Sequence, residues 1–90
     1  MSPKFTIAET DTFRESLKRL RNEKVYAKIV SYVYPQLRDN PFCGTNIKKL
    51  KGSLDGMYRY RIGDLRMFYV IHEREIMVAV IEIAKRKDAY

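Results

Sequence analysis

The sequence of 90 residues contains one cysteine, one histidine and no tryptophan. A structural zinc site takes four Cys or His ligands, so sites of the Cys₄ and Cys₂His₂ types are excluded. A lone cysteine, Cys43, forms no internal disulfide and is typical of a reducing compartment. The longest apolar run, Ile76–Ile81, is much shorter than the roughly 20 residues that span a membrane. We therefore expect a soluble protein of the cytoplasm that binds no metal, no cofactor and no membrane.

Positive charge is in excess. Lysine and arginine number 18 against 11 aspartate and glutamate, which leaves a net charge of +7 at pH 7. Hydrophobic residues make up 46% of the chain, enough for the one modest core that a domain of this size builds. We expect residues 1–90 to form a single domain. The excess of positive charge favours an anionic partner, either nucleic acid or an acidic protein.

The first half of the sequence has the periodicity of a strand followed by two helices. Residues 4–8 alternate between polar and apolar and predict a short strand. Apolar residues at helical spacing follow. Thr10, Asp11 and Thr12 are candidate caps at the start of that helix, and Thr12 with Glu15 has the spacing of a capping box. A second helix begins near Glu23, and Pro35 is predicted to kink or end it. The apolar stripe of this helix is Val25 or Tyr26, Ile29, Val33 and Leu37.

The second half is rich in strand signals. The segment from Asp39 to Met57 contains many turn residues and reads as a loop. Two alternating runs then flank Gly63-Asp64, a dipeptide typical of a tight hairpin turn. The apolar, β-branched run Ile76–Ala84 predicts a central strand. The predicted fold class is α+β, with the order β-α-α-β-β-β and a helical hairpin packed on a twisted, largely antiparallel sheet.

Three arginines of the predicted hairpin share one face of the sheet. The turn places Arg61 opposite Arg66, and strand alternation puts Arg59 on the same face. Like charges across a strand pair repel each other unless an anion lies between them. The planar guanidinium fork suits a phosphate or carboxylate. A solvated face with exposed arginines is the simpler interpretation of the same pattern, and the pattern alone leaves both open.

The C-terminal tail is basic and ends in an aromatic residue. Strict alternation from Ile76 places Arg86 opposite the Arg59 face, so the strand needs a bend or bulge after Ala84 to bring Arg86 there. Tyr90 suits stacking on a nucleobase, and a frayed terminus is the alternative. Four lysines are candidates for contacts with a phosphate backbone or, alternatively, only solubilise the surface: Lys48, Lys49, Lys51 and Lys85.

Acid–base chemistry has no clear signature in the sequence. His72 falls in a predicted turn, and Cys43 has no base near it. Three glutamates of the second half show no pairing of carboxylates: Glu73, Glu75 and Glu82. Arginine is too basic to accept a proton at neutral pH.

The run Y-R-x-R-I-G-D-x-R, together with R-K-D-x-Y at the end of the chain, resembles the RelE/ParE toxin superfamily and specifically its RelE branch. The matching residues lie between Lys49 and Tyr90: KLKG, YRYRIGDLRMFYVI and VAVIEIAKRKDAY. The first half matches only in length and helix pattern. The resemblance implies a ribosome-dependent endoribonuclease that cuts mRNA in the A site and stops translation. It also implies a cognate antitoxin that wraps the toxin and blocks it.

The same resemblance implies the catalytic positions, which are Arg59, Arg61, Arg66, Arg86 and Tyr90. In the reaction it implies, the 2′-hydroxyl attacks the neighbouring phosphate and leaves a 2′,3′-cyclic phosphate and a 5′-hydroxyl. Some members have lysine where this chain has Arg59 and Arg61, and others use histidine or glutamate as acid and base, which this chain lacks at the matching places. A deprotonated Lys85 or Lys51 is one option for the base, but the sequence singles out neither.

Two other functions are compatible with the same residues. One is that of the ParE branch of the superfamily, which inhibits DNA gyrase by binding and cuts no RNA. The other is a non-catalytic module that binds RNA or protein through its basic face, with steep salt dependence. The dense arginine set and the terminal Tyr90 favour the nuclease, because an inhibitor that only binds needs no phosphate clamp.

Overall fold

A computed structural model of the chain describes residues 4–54 and 56–85. Its strands are β1 (Thr6–Glu9), β2 (Ile47–Lys49), β3 (Met57–Ile62), β4 (Leu65–His72) and β5 (Met77–Lys85). They form a sheet of order β1-β5-β4-β3-β2, in which β1 runs parallel to β5 and the other neighbours are antiparallel. The helices are α1 (Asp11–Leu20), α2 (Glu23–Lys28) and α3 (Tyr34–Asp39). The predicted fold class, a helical hairpin on a largely antiparallel sheet, is confirmed.

The first helix is capped by Thr10. The Oγ1 atom of Thr10 accepts a hydrogen bond from the backbone N–H of Phe13 at 3.1 Å. Such a cap satisfies one of the N–H groups that a helix leaves free at its start. The predicted capping box of Thr12 and Glu15 is wrong, because the helix already begins at Asp11. Both of those side chains are exposed on the helix surface.

The second arm of the hairpin is continuous from α2 to α3 through a π-helical turn, Ile29–Val33. Pro35 follows this turn directly and lies in the first turn of α3. Proline has no N–H for the α-helical ladder, and the wider turn accommodates the missing hydrogen bond. The helix therefore continues past Pro35 to Asp39, so the prediction that the helix ends at Pro35 is wrong.

The predicted apolar stripe of this arm is buried, with Val25 rather than Tyr26 as its first member. Successive residues of the stripe are four positions apart in the sequence, whereas an α-helix has 3.6 residues per turn. In a regular α-helix each step would therefore shift the stripe by about 40° around the axis. A π turn holds more residues per turn and offsets that drift. The stripe thus stays on the sheet side over the whole arm.

One hydrophobic core lies between the helices and the sheet. Its buried members are Phe13, Val25, Ile29, Val33, Tyr34, Leu37, Tyr58, Tyr60, Ile62, Met67, Tyr69, Val78, Val80 and Ile83. Three tyrosines direct their hydroxyls to polar partners at its margin. Tyr60 donates to Gln36 Oε1 at 2.6 Å, Tyr69 donates to the Pro41 carbonyl at 2.7 Å, and Tyr34 donates to a Glu9 carboxylate oxygen at 2.7 Å. The rings of these three tyrosines are therefore buried while their hydroxyls remain hydrogen-bonded.

The segment predicted as a loop contains strand β2 and a 3₁₀ turn, Gly52–Leu54. Ile47 pairs with Tyr60 and is half-buried at the edge of the core. A strand of three residues with two lysines shows too little alternation to stand out in the sequence. Short, lysine-bearing strands are typical of sheet edges, where they discourage pairing with other chains.

A bulge interrupts strand β5 at Ile81. Phe68 of β4 pairs with Glu82, but the next residue of β4, Tyr69, pairs with Val80. Ile81 is therefore the extra residue on the bulged strand, and such a residue bends the strand and increases its twist. The structure places this feature where β1 ends, since β1 follows β5 only as far as Val80.

Two hydroxyls of the first helical segment bond the backbone of the bulged region. Thr10 Oγ1 donates to the Val80 carbonyl at 2.8 Å, and Ser16 Oγ accepts from the N–H of Ile83 at 3.0 Å. The Val80 carbonyl lies at the last residue that β1 covers, and the Ile83 N–H lies beyond it. In residues 4–54 and 56–85 no helix is long and apolar enough to cross a membrane.

Candidate active site

The register of the β3–β4 hairpin is the one that the sequence predicts. Arg61 pairs with Arg66, and Arg59 pairs with Phe68. Directly opposite residues share a face, so these arginines lie together on the side of the sheet away from the helices. We call this side the arginine face and define it by Lys48, Arg59, Arg61, Arg66, Phe68, Glu82 and Ala84, which are related by strand pairing and alternation.

The closest arginine pair lies beside the hairpin turn. The N–H of Arg61 donates to the Asn46 carbonyl at 2.9 Å, on the β2 side, so Arg61 and Arg66 form a non-hydrogen-bonded pair. In such pairs the Cα atoms are only about 4.5 Å apart and the side chains are close. Gly63 makes the turn at φ 56°, a conformation that costs other residues free energy. The tight turn therefore sets two positive charges against each other.

Arg59 lies next to this pair and is half-buried. Its Nε atom is buried and has no hydrogen-bond partner among the residues that the structure describes. A buried donor without a partner costs about 1–3 kcal/mol, which an acceptor from outside would recover. On its β2 side Arg59 pairs with Lys48, which adds a fourth cation to the face.

Arg66 is held more firmly than Arg61. Its Nη1 atom donates to the Leu65 carbonyl at 3.3 Å, and the residue is half-buried, whereas Arg61 is exposed. Arg66 makes a further interaction besides this hydrogen bond, and Phe68 is also engaged in an interaction. Phe68 is only 4% exposed and forms an apolar floor between Arg59 on one strand and Glu82 on the other. An apolar floor strengthens the attraction between the arginines and a bound anion.

The four predicted lysines are not brought together. Lys48 lies on the arginine face, but Lys49 pairs with Tyr58, a residue of the helix side. Lys85 pairs with Leu65 and is likewise on the helix side of its strand. Lys51 is exposed before the 3₁₀ turn. Of the four, Lys48 alone is next to an arginine of the face.

The bulge changes which residues of β5 reach the arginine face. Before it the even-numbered residues face the helices, and after it the odd-numbered Ile83 does. Glu82 and Ala84 therefore lie on the arginine face, with Ala84 opposite Arg66. The strand was predicted to change phase after Ala84, but the bulge lies earlier, at Ile81. Arg86 and Tyr90 lie outside the described residues.

Glu82 is a residue of the arginine face that the sequence pattern did not assign to it. Strict alternation from Ile76 assigns it to the helix side, among core residues. A glutamate there would bury an unpaired charge, which is costly, and that conflict was the available signal for a bulge. In the structure Glu82 is exposed on the arginine face.

The arrangement can bind an oxyanion such as a phosphate. Guanidinium groups from two neighbouring strands would each donate a pair of hydrogen bonds to a phosphate. Four cations and one carboxylate lie on the described face, and a polyanion would offset the repulsion between the cations. The geometry is thus suited to a phosphodiester.

Comparison with known proteins assigns the chain to a family. Residues 7–90 match the family described as ParE toxin of type II toxin-antitoxin system, parDE. The chain belongs to this ParE/RelE family of toxins. A relative of this toxin, Toxin RelE of Mycobacterium tuberculosis, is 36% identical over 87 residues, which cover 96% of this chain and 86% of that protein.

Solved structures share the fold of this toxin. The toxin–antitoxin complex RelBE2 of Mycobacterium tuberculosis contains a chain with a TM-score of 0.81 and 24% identity, covering 96% of this chain and 95% of that one. A chain of the archaeal RelE–RelB complex of Pyrococcus horikoshii has a TM-score of 0.73 and 20% identity, covering 96% and 99%. These similarities establish the RelE-type fold.

Proposed function

We propose that this toxin is a ribosome-dependent endoribonuclease that cleaves mRNA in the A site and thereby inhibits translation. The observation that carries the proposal is the direct pairing of Arg61 with Arg66 on the sheet face away from the helices, beside Arg59, whose buried Nε has no partner among the described residues. The positive charges of this face repel one another, and a bound phosphate would offset that repulsion. The similarity to Toxin RelE supports mRNA as the phosphodiester.

The proposed chemistry uses the RNA's own nucleophile. The 2′-hydroxyl loses its proton, its oxygen forms a bond to the adjacent phosphorus, and the bond from phosphorus to the 5′-oxygen breaks. The products are a 2′,3′-cyclic phosphate and a 5′-hydroxyl, and this route needs no metal. Negative charge accumulates on the phosphorane oxygens in the transition state. Arg61 and Arg66 stabilise that charge, and preorganised donors of this kind commonly contribute about 3–4 kcal/mol each.

The remaining predicted residues have supporting roles in the proposal. Arg59 neutralises the phosphate or polarises the 2′-hydroxyl, and Lys48 extends the positive track along the backbone. By resemblance, Arg86 stabilises the leaving 5′-oxygen, with protonation only through water, and Tyr90 stacks on the reacting nucleotide. The ribosome holds the RNA in line for attack and supplies much of the rate.

A cognate antitoxin is the proposed protein partner. The RelBE2 and RelE–RelB structures are complexes of a toxin with its antitoxin. An acidic helix or strand that covers the arginine face would neutralise the Arg61–Arg66 pair and block the RNA. Ribosome, mRNA and antitoxin all place the proposed activity in the cytoplasm.

The test is cleavage of a defined mRNA on purified ribosomes, with detection of the cyclic phosphate end. Arg66→Ala and Arg86→Ala are each expected to abolish cleavage while the protein stays folded. Arg19→Ala is the matched control, because Arg19 is exposed on α1, on the other side of the sheet. Full cleavage by both of the first two variants would refute the assignment. Removal of Tyr90 is expected to weaken cleavage more than antitoxin binding.

Inhibition of DNA gyrase is the second candidate, because the matching family is described as ParE toxin. In that case the purified toxin blocks supercoiling by gyrase and leaves mRNA on ribosomes intact. A module that only binds RNA would give salt-dependent binding with no cyclic phosphate product. The two measurements, made on one preparation, separate the three functions.

A further inference from the structure

Glu82 is the one carboxylate among the described strand residues of the arginine face. It is exposed, and within residues 4–54 and 56–85 it forms no salt bridge. The bulge at Ile81 is what brings it there, because an unbroken strand would turn Glu82 toward the helices. A solitary carboxylate beside a cluster of arginines is placed where it can interact with whatever the arginines bind.

Distance allows Glu82 to serve the phosphate held by the arginine pair. Glu82 pairs with Phe68, two residues from Arg66 on the same strand. Diagonal neighbours of this kind have Cα atoms about 7–8 Å apart, within reach of long side chains. The 2′-hydroxyl lies next to the scissile phosphate, so a phosphate between Arg61 and Arg66 can place its nucleophile on the β5 side, toward Glu82.

Charge and chemistry distinguish Glu82 from the other polar residues of the face. Guanidinium groups donate hydrogen bonds and do not accept protons, and an ammonium group accepts one only after losing its own. His72 is six residues from Arg66 along β4, which is about 20 Å at 3.4 Å per residue. A glutamate carboxylate accepts a proton readily, and Glu82 is the described strand residue with this property next to the clamp.

We propose that Glu82 is the general base of this toxin, an inference that rests on the proposed endoribonuclease function. Its carboxylate takes the proton of the 2′-hydroxyl as the 2′-oxygen bonds to phosphorus. The 5′-oxygen leaves with the electron pair of the broken bond and takes a proton from water. The protonated carboxyl then returns its proton to solvent, so that the carboxylate is restored and the charges balance.

Glu82→Gln is the first test, in single-turnover cleavage on ribosomes saturated with toxin. We expect the cleavage rate to fall on the order of 10²- to 10⁴-fold, the usual contribution of a general base. Binding to ribosomes should tighten slightly, because the change removes a negative charge from a positive face. If Glu82 acted only through its charge, the same variant would bind better and cleave at least as fast. Glu75→Gln, an exposed glutamate of the β4–β5 turn, is the matched control.

Glu82→His is the second test, since imidazole also accepts protons. We expect it to cleave faster than Glu82→Gln, with its loss of rate at acid pH beginning at a higher pH than in the wild-type toxin. Equal rates for wild-type toxin and Glu82→Gln at all pH values would overturn the inference, while loss of cleavage in Arg66→Ala would leave the proposed function standing. If the wild-type toxin cleaves no RNA, both proposals fail together.

Discussion

Ser16 Oγ accepts a hydrogen bond from the backbone N–H of Ile83 at 3.0 Å, and both residues are buried. The same hydroxyl donates to the Phe13 carbonyl at 2.8 Å, so one side chain ties α1 to β5. Strand β1 ends at Glu9 and covers β5 only as far as Val80. Ser16 thus replaces the missing strand neighbour for an N–H that would otherwise be unpaired in the protein interior.

Loss of the Ser16 hydroxyl should destabilise the toxin. Ser16→Ala leaves the Ile83 N–H without an acceptor, and we expect the free energy of unfolding to fall by about 1–3 kcal/mol. Chemical denaturation measures this, and hydrogen exchange at Ile83 should become faster than at Val78. Ser31→Ala, an exposed serine, is the control. Equal denaturation midpoints for Ser16→Ala and wild type would contradict this account of the contact.

The two threonines at the start of α1 should respond differently to truncation. Thr10→Ala removes the helix cap and the bond to the Val80 carbonyl, with an expected cost of about 1–2 kcal/mol. Thr12 lies inside the helix on its exposed surface. Thr12→Ala should therefore be neutral or slightly stabilising, because alanine is the better helix former. Thermal unfolding of the pair tests the assignment, and a larger loss for Thr12→Ala would restore the capping box.

Removal of one member of the arginine pair should stabilise the free toxin and inactivate it. Arg61→Gln relieves the repulsion from Arg66, so we expect a gain of roughly 0.2–1 kcal/mol at low salt. The gain should largely vanish in about 1 M salt, where the screening length is near 3 Å. Denaturation at both salt concentrations measures it, with the exposed Arg19→Gln as control. A gain that persists in high salt would point to a cause other than charge.

Stability should decline in alkali because of two buried tyrosines. Burial raises the pKa of Tyr34, and its hydrogen bond to the Glu9 carboxylate raises it further. Burial likewise raises the pKa of Tyr69. A tyrosine whose pKa is raised by folding contributes its full stabilisation below the unfolded pKa, which is near 10. That stabilisation is lost as the pH rises toward the pKa of the folded state. We therefore expect unfolding to become easier above about pH 10.

Tyrosine variants test the cause of this alkaline decline. Tyr69→Phe loses its bond to the Pro41 carbonyl, so it should be less stable at neutral pH by about 1 kcal/mol. It should also lose less stability between neutral pH and alkali than the wild-type toxin does. Tyr32→Phe changes a side chain that is 59% exposed and should keep the wild-type pH dependence. An unchanged decline in Tyr69→Phe would assign the effect to other groups.

The hairpin and its arginines were predictable because local signals agreed. Gly63-Asp64 determines both the turn and the register, and a two-residue period then assigns Arg59, Arg61 and Arg66 to one face. The spacing of Val25 to Leu37 likewise predicted the buried side of the second helix. In both cases the residues that carry the signal are neighbours in sequence, so no distant contact was needed to interpret them.

The features that escaped prediction depend on contacts between distant segments. β2 is a strand only because Lys48 and its neighbours meet β3. Thr10 was one of three candidate caps, and its second bond, to the Val80 carbonyl, could not be predicted from neighbouring residues. The bulge at Ile81 lies directly after the last residue of β5 that β1 covers. Because that bulge decides the face of Glu82, the candidate base was hidden in the sequence although the candidate clamp was visible.

The position of β5 between β1 and β4 affects when the sheet can form during synthesis of the toxin. Thr10 and its partner Val80 are separated by 70 residues, so the start of the nascent polypeptide waits for nearly all of the remaining described chain before it can join the sheet. Contacts of such long range form late and slowly. We therefore expect a chain truncated before β5 to leave β1 without its neighbour in the sheet, so that a message broken upstream of β5 yields no folded toxin.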